Sequence, residues 1–157
     1  MCIFCRIIEG SAQGYRVYED ALTLAFLDIN PISDGHTLIV PKVHEERLEN
    51  LPPEYTEALF RALLRLVGPI QTAMSVPATS IGVNNGREAG QLVPHVHIHV
   101  IPRDAAGKRV FTDAVARIKP RSPGYFSEIA DKIKREVEAT TLSSRGRATP
   151  SGTRPGT

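Results

Sequence analysis

Residues 95–99 read His95-Val96-His97-Ile98-His99, placing three of the chain's five histidines in strict alternation with apolar residues. Neutral imidazole carries a lone pair on one ring nitrogen and a proton on the other, so it can bind a metal, exchange a proton or attack phosphorus. Successive side chains of a strand face opposite ways. The three imidazoles would therefore share one face, and Val96, Ile98 and Val100 the other. An apolar face buried in the core would hold the imidazoles on a rigid element, as a reactive site requires. An unspecialised sheet face would rarely choose imidazole at every position, and the interleaved apolar residues exclude an expression tag. Two chemistries stand open: a metal site, or a histidine nucleophile that splits a hard displacement at phosphorus into two easier ones.

The segment Asn84-Asn85-Gly86-Arg87-Glu88-Ala89-Gly90-Gln91 weighs toward phosphorus. Its glycines permit a tight turn that can bring backbone N–H groups and the Gln91 amide close to phosphate oxygens. A second cluster of ligand types opens the chain, Cys2-Ile3-Phe4-Cys5. Alone the C-x-x-C spacing is a weak signal: a redox motif would want a strand before it and a helix starting at it.

These groups need a scaffold. Tyr15 to Ile29 holds two β-rich runs around Glu19-Asp20, predicting a hairpin, and His36 to Val40 returns as a third strand stopped by Pro41. Pro52-Pro53 suits a helix start, and Tyr55, Leu59, Leu63, Leu66, Val67 and Ile70 recur at helical spacing as far as about Met74. Gly68-Pro69 predicts a kink in that helix. Ser80 to Val83 reads as a short strand, Val93 to Ile101 as the histidine strand stopped by Pro102, and Phe126 to Val137 as a last helix. The fold class expected is α+β: an antiparallel sheet of about five strands with one long helix and a C-terminal helix.

The chain's 157 residues and 41% hydrophobic content suit one soluble domain, read as residues 1–142. Residues 143–157, rich in Ser, Thr, Gly, Pro and Arg, are expected to be a disordered basic tail. The net charge of +2 comes from this tail, with Arg145, Arg147 and Arg154 and no acid, so the folded part is near neutral and no specific nucleic-acid partner is expected. No apolar run approaches the ~20 residues of a membrane span, and the N-terminus does not read as a signal peptide. A cytoplasmic location is expected, where the two cysteines would not form a structural disulfide.

His95 to Ile101 fits His-φ-His-φ-His-φ-φ, with φ apolar, at every position, and thereby resembles the histidine-triad (HIT) family. The likeness extends through Cys2-Ile3-Phe4-Cys5, Tyr18-Glu19-Asp20, Ala25-Phe26-Leu27-Asp28, Gly35-His36, Pro41-Lys42-x-His44 and Asn84 to Gln91, covering about residues 1–103. The resemblance implies the family's α+β fold, usually a homodimer with a joined antiparallel sheet. It also implies a hydrolase or nucleotidyl transferase acting at the α-phosphorus of purine nucleotide conjugates, either phosphoramidates or dinucleoside polyphosphates. By position, His97 would be the nucleophile, His99 would contact phosphate and leaving group, and His36 would orient the cluster. Asp28 would bind the ribose hydroxyls. Ile3, Phe4, Ile7, Phe26 and Ile29 would sandwich the base, while Asn84, Gly90 and Gln91 would meet the phosphate. In zinc-bearing relatives the positions of Cys2, Cys5, His44 and His95 form a structural Cys2His2 set. The alternative for these four is buried thiols and a surface histidine. One departure stands out: Leu92 lies where many relatives carry Ser or Thr. Its consequence keeps a different function open, a non-catalytic purine-nucleotide sensor or adaptor.

Overall fold

The computed structural model describes residues 2–105 and 121–145. Five antiparallel strands run β1 (Arg16–Glu19), β2 (Thr23–Leu27), β3 (Thr37–Pro41), β4 (Ala78–Gly82) and β5 (Ile98–Arg103), in the sheet order β1-β2-β3-β5-β4. Three α-helices accompany them: α1 (Ile3–Glu9), α2 (Pro53–Met74) and α3 (Pro123–Arg145). None is long and apolar enough to cross a membrane.

The expected hairpin is β1–β2. Asp20 closes it, its Oδ1 accepting from the amides of Leu22 and Thr23 at 2.9 and 2.8 Å, a turn that aspartate builds from its own side chain. Alternation then sorts the sheet into two faces. Ala25, Leu27, Ile39, Ile98 and Val100 join the core under α2 and α3. Leu24, Phe26, Leu38 and Val40 face the other way and pack with Phe4 and Ile7 of α1. The leucine Leu38 pairs with His99 across β3 and β5, which sets His99 on this second face.

Three features differ from the sequence expectation. First, residues 3–9 form a helix that C-x-x-C spacing alone did not predict. Gly10, at φ 86°, ends it in the left-handed conformation that glycine adopts without strain, and Ser11 N–H caps the Arg6 carbonyl at 2.9 Å. Second, β5 begins at Ile98 rather than Val93. Pro94 has no N–H, the His95 amide turns back to Val93 O at 2.8 Å, and the Val96 amide bonds Glu45 O at 2.8 Å, so the lead-in carrying His95 and His97 pairs with a loop instead of β3. Pro102 does not stop the strand. Pairing with β3 ends at Val100, and beyond it only β4 lies alongside, leaving an open side where a missing N–H is tolerated. Third, α3 continues to Arg145, so the expected boundary at 142 falls inside it. Thr140, Thr141 and Ser144 donate their hydroxyls to carbonyls one turn back, at 2.9, 3.0 and 2.9 Å, so each hydroxyl is satisfied within the helix. The tail from residue 146 onward lies outside the described residues. Pro69 is buried within α2, which continues past it without a break.

Candidate active site and metal centre

His95, His97 and His99 are all buried, and the lead-in to β5 divides them between two sites. At the first site, α1 brings the Cys2 and Cys5 sulfurs one turn apart, against His95 and the loop residue His44. The Nδ1 of His95 lies 3.6 Å from each sulfur and 3.3 Å from His44 Nδ1, and Cys5 Sγ lies 3.3 Å from His44 Nδ1. Tetrahedral zinc, with Zn–S about 2.3 Å and Zn–N about 2.0–2.1 Å, sets sulfur and nitrogen ligand atoms about 3.6 Å apart and two nitrogens about 3.3 Å apart. These four distances match a zinc shell to within about 0.3 Å, and all four donor atoms lie within 4.8 Å of one another.

The tautomer of His95 agrees. Its Nε2 lies 2.9 Å from the Pro41 carbonyl, which can only accept, so Nε2 carries the proton and Nδ1 offers its lone pair to the sulfur side. Burial pushes this imidazole down to about 4, which keeps it neutral as a ligand must be. Burial and the neighbouring Cys2 sulfur raise the Cys5 thiol, an opposition to ionising two adjacent thiols that a cation at their centre relieves. The donor set fits zinc.

The second site is a cavity of about 270 Å³, near the lower end of the ligand-site range. Its apolar wall comes from Ile3, Phe4 and Ile7 of α1 with Phe26, Ile29 and Leu92, and its polar end from Asp28, His36, His97 and His99. Phe4 meets the His97 ring edge-on at a centroid distance of 5.1 Å, so the helix that begins at Cys2 and carries Cys5 also walls the cavity. His97 Nδ1 donates to the His95 carbonyl at 2.7 Å. That bond fixes its tautomer and leaves the lone pair on Nε2, the state a nucleophile needs.

His36 and His99 form a relay of the opposite kind. The Ile32 amide donates to His36 Nδ1 at 3.1 Å, so the His36 proton sits on Nε2, which lies 2.9 Å from His99 Nδ1. His99 accepts there and holds its own proton on Nε2. Asp28 Oδ2 stands 3.6 Å from His36 Nε2, and its Oδ1 accepts from the Asn30 amide at 2.8 Å. The donor atoms of Asp28, His36 and His99 lie within 4.8 Å of one another, close enough to suggest a cation site. The Ile32 amide opposes it, because a metal on Nε2 would require the proton on Nδ1, where the amide proton already points.

All the base-side residues named from the sequence line the cavity, as do Asp28 and the histidines His36, His97 and His99. Asn84, Gly90 and Gln91 do not line it. Gln91 Oε1 accepts from the Gly86 amide and its Nε2 donates to the Glu46 carbonyl, both at 2.8 Å, so this amide ties its loop to the Glu46 segment rather than reaching toward the histidines. Gln13 and Val93 also line the cavity and were not singled out in the sequence. Val93 had a signal, its place at the foot of the histidine segment. Gln13 had none.

Residues 9–106 match the family model described as HIT domain. The chain is 42% identical over 136 residues to the adenylylsulfatase HINT3 of Arabidopsis thaliana, covering 87% of this chain and 69% of that one. It is 39% identical over 142 residues to the adenosine 5′-monophosphoramidase HNT1 of Candida albicans, covering 87% and 91%. Among solved structures, a zinc-bound histidine triad family protein from Mycobacterium smegmatis superposes with a TM-score of 0.78 at 31% identity, covering 90% of this chain and 96% of that one.

Proposed function

This chain belongs to the HIT domain family, and we propose that it hydrolyses purine nucleotide conjugates at the α-phosphorus through a nucleotidyl-histidine intermediate on His97. The carrying observation is the bond from His97 Nδ1–H to the His95 carbonyl, which leaves Nε2 basic beside the cavity. In the first half-reaction Nε2 attacks phosphorus, the N–P bond forms, and the bond to the leaving amine, sulfate or phosphate breaks with its electron pair departing on that group. The Nε2–H of His99 hydrogen-bonds the departing atom. In the second half water bonds phosphorus through its oxygen and releases a proton to solvent, from which the departed group has taken any proton it needs. The N–P bond breaks with its electron pair returning to His97 Nε2, and nucleoside monophosphate leaves. Asp28 would take the ribose hydroxyls, and Phe4, Ile7, Phe26 and Ile29 the base.

On the same reading Cys2, Cys5, His44 and His95 hold a structural zinc ion, which ties α1 to the sheet and takes no part in the displacement. The relatives named for adenylyl sulfate and AMP phosphoramidate hydrolysis support a nucleotide conjugate as substrate. The family resemblance also favours a homodimer. Among the described residues β4 is an edge strand; its exposed Ile81 and the exposed Phe60 and Leu64 of α2 offer apolar surface for a joined sheet. Light scattering is expected at twice the monomer mass; a monomer at micromolar concentration would refute the joined sheet.

The test is incubation with adenosine 5′-phosphoramidate, adenylyl sulfate and diadenosine polyphosphates, following AMP release. Acid-quenched protein is expected to carry an adenylyl mass on the peptide containing His97. AMP release with no such adduct, or unchanged in His97→Ala, overturns the mechanism.

A further inference from the structure

The loop between β2 and β3 does more than join two strands. Its Ile32 amide is the donor that decides which nitrogen of His36 is protonated, and through His36 which nitrogen of His99 is. An amide can set a tautomer only if it is held in place, and Ser33 holds this one from two sides. The Ser33 hydroxyl donates to the Pro102 carbonyl at 2.6 Å, tying the loop to β5, the strand that carries His99. The Ser33 carbonyl accepts the His36 amide at 3.1 Å, tying the loop to the start of β3. A second anchor comes from α3, which lies outside the matched HIT segment. Tyr125 donates its phenol to Asp34 Oδ1, Arg121 adds an N–O contact at 3.4 Å to the same oxygen, and the Arg121 guanidinium lies 4.7 Å over the Tyr125 ring. Burial, with the Asp34 carboxylate as acceptor, keeps the Tyr125 phenol protonated and therefore a donor. The Asp34 side chain is 64% exposed, so this outer clasp is the weaker of the two ties, and the part-buried Ser33 bond the stronger.

We propose that Ser33 is a positioning residue: by holding the Ile32 amide on His36 it locks the His36–His99 pair in one tautomeric sense, with the His99 proton kept on Nε2. Tyr125 supports the same lock from outside. The proposal concerns ring protonation, and rests on the hydrolase reading only for its kinetic arm.

Ring ¹⁵N NMR of histidine-labelled protein tests it. In the unaltered protein His36 Nδ1 and His99 Nδ1 are expected to be of the bare, pyridine type and both Nε2 atoms of the protonated, pyrrole type. Ser33→Ala is expected to convert His36 to a mixture of tautomers and to lower kcat about tenfold with KM within twofold, the scale on which outer partners act on the histidines they orient. Tyr125→Phe, which keeps the ring packed edge-on to Phe126, should move the same signals less. Ile32→Pro removes the donor outright and should give the full change; if it fails to fold, Ser33→Ala still decides. Finding His36 protonated on Nδ1 in the unaltered protein overturns the lock, as does a kcat loss in Ser33→Ala with the His36 signals unmoved. The expected NMR pattern in a protein that turns over no nucleotide conjugate supports the lock and overturns the hydrolase reading instead.

Discussion

Two histidine clusters lie a few residues apart on one segment, and what each can do is decided on the far side of its rings. His95 has a carbonyl behind it, Pro41 O, so its proton is held at the back and a lone pair faces forward to the two sulfurs. His36 has an amide behind it, Ile32 N–H, so its lone pair is held at the back and a proton faces forward to His99. Both clusters gather Cys, His or Asp donors within 4.8 Å. One is ready for a cation and the other for a proton. Donor count and proximity do not distinguish them; the polarity of the backbone group behind the ring does.

Replacing His97 should draw the line most sharply, because it belongs to the chemical cluster while its Nδ1 partner, the His95 carbonyl, belongs to the metal one. His97→Ala is expected to lower AMP release by about 10⁴-fold or more, as loss of a nucleophile does, while bound zinc and AMP affinity persist. Loss of zinc in that variant would show the two clusters to be one. The reciprocal change, Cys2→Ala or prolonged chelation, should empty the metal centre by elemental analysis. It should also cost on the order of 3 kcal/mol, about 10 °C in melting temperature for a chain this size. A melting temperature unchanged by chelation would remove zinc from the fold's support. Within the proton cluster, His36→Ala should reduce kcat by about 10–100-fold with zinc content intact; equal activity would leave the relay without a role. The smallest effect falls at Leu92, which lines the cavity at 66% exposure. Leu92→Ser restores a hydroxyl worth about 0.5–1.5 kcal/mol, so kcat/KM should rise by no more than about tenfold. A larger gain would mean that Leu92 holds the wild-type enzyme back.

Much of this was legible in the residues. Alternation placed Val96, Ile98 and Val100 in the core and the three imidazoles on the opposite face, and that division stands even though β5 starts only at Ile98. Asp28 and the aliphatic and aromatic set from Ile3 to Ile29 line the cavity as the resemblance to the histidine-triad family implied; side-chain type alone marked the apolar ones only as core, and α1, which carries Ile3, Phe4 and Ile7, had no signal of its own. What the sequence does not carry is the direction of a backbone group. Nothing in Pro31-Ile32-Ser33 says that an amide will point at His36; Pro94, lacking an N–H, was the one sign that the histidine strand would begin late. The Asp34–Tyr125 clasp joins positions 91 apart, beyond the reach of any local pattern. Gln91 was read for its amide; the amide instead bridges the Gly86 N–H of its own turn and the Glu46 carbonyl of another loop.

Sequence separation in the sheet has a further consequence, for folding. Strand β5 sits between β3 and β4, and the contacts that complete the two clusters span 93 residues from Cys2 to His95 and 63 from His36 to His99. Contacts so far apart form late, because long loops must close before any stabilisation is gained. A chain in which the β5 segment has not docked lacks both the Cys–His shell and the histidine relay, since each takes a histidine from that segment. During refolding, zinc affinity and catalytic competence should therefore emerge together in the slowest phase, after helical signal has recovered, and no half-folded species should possess either.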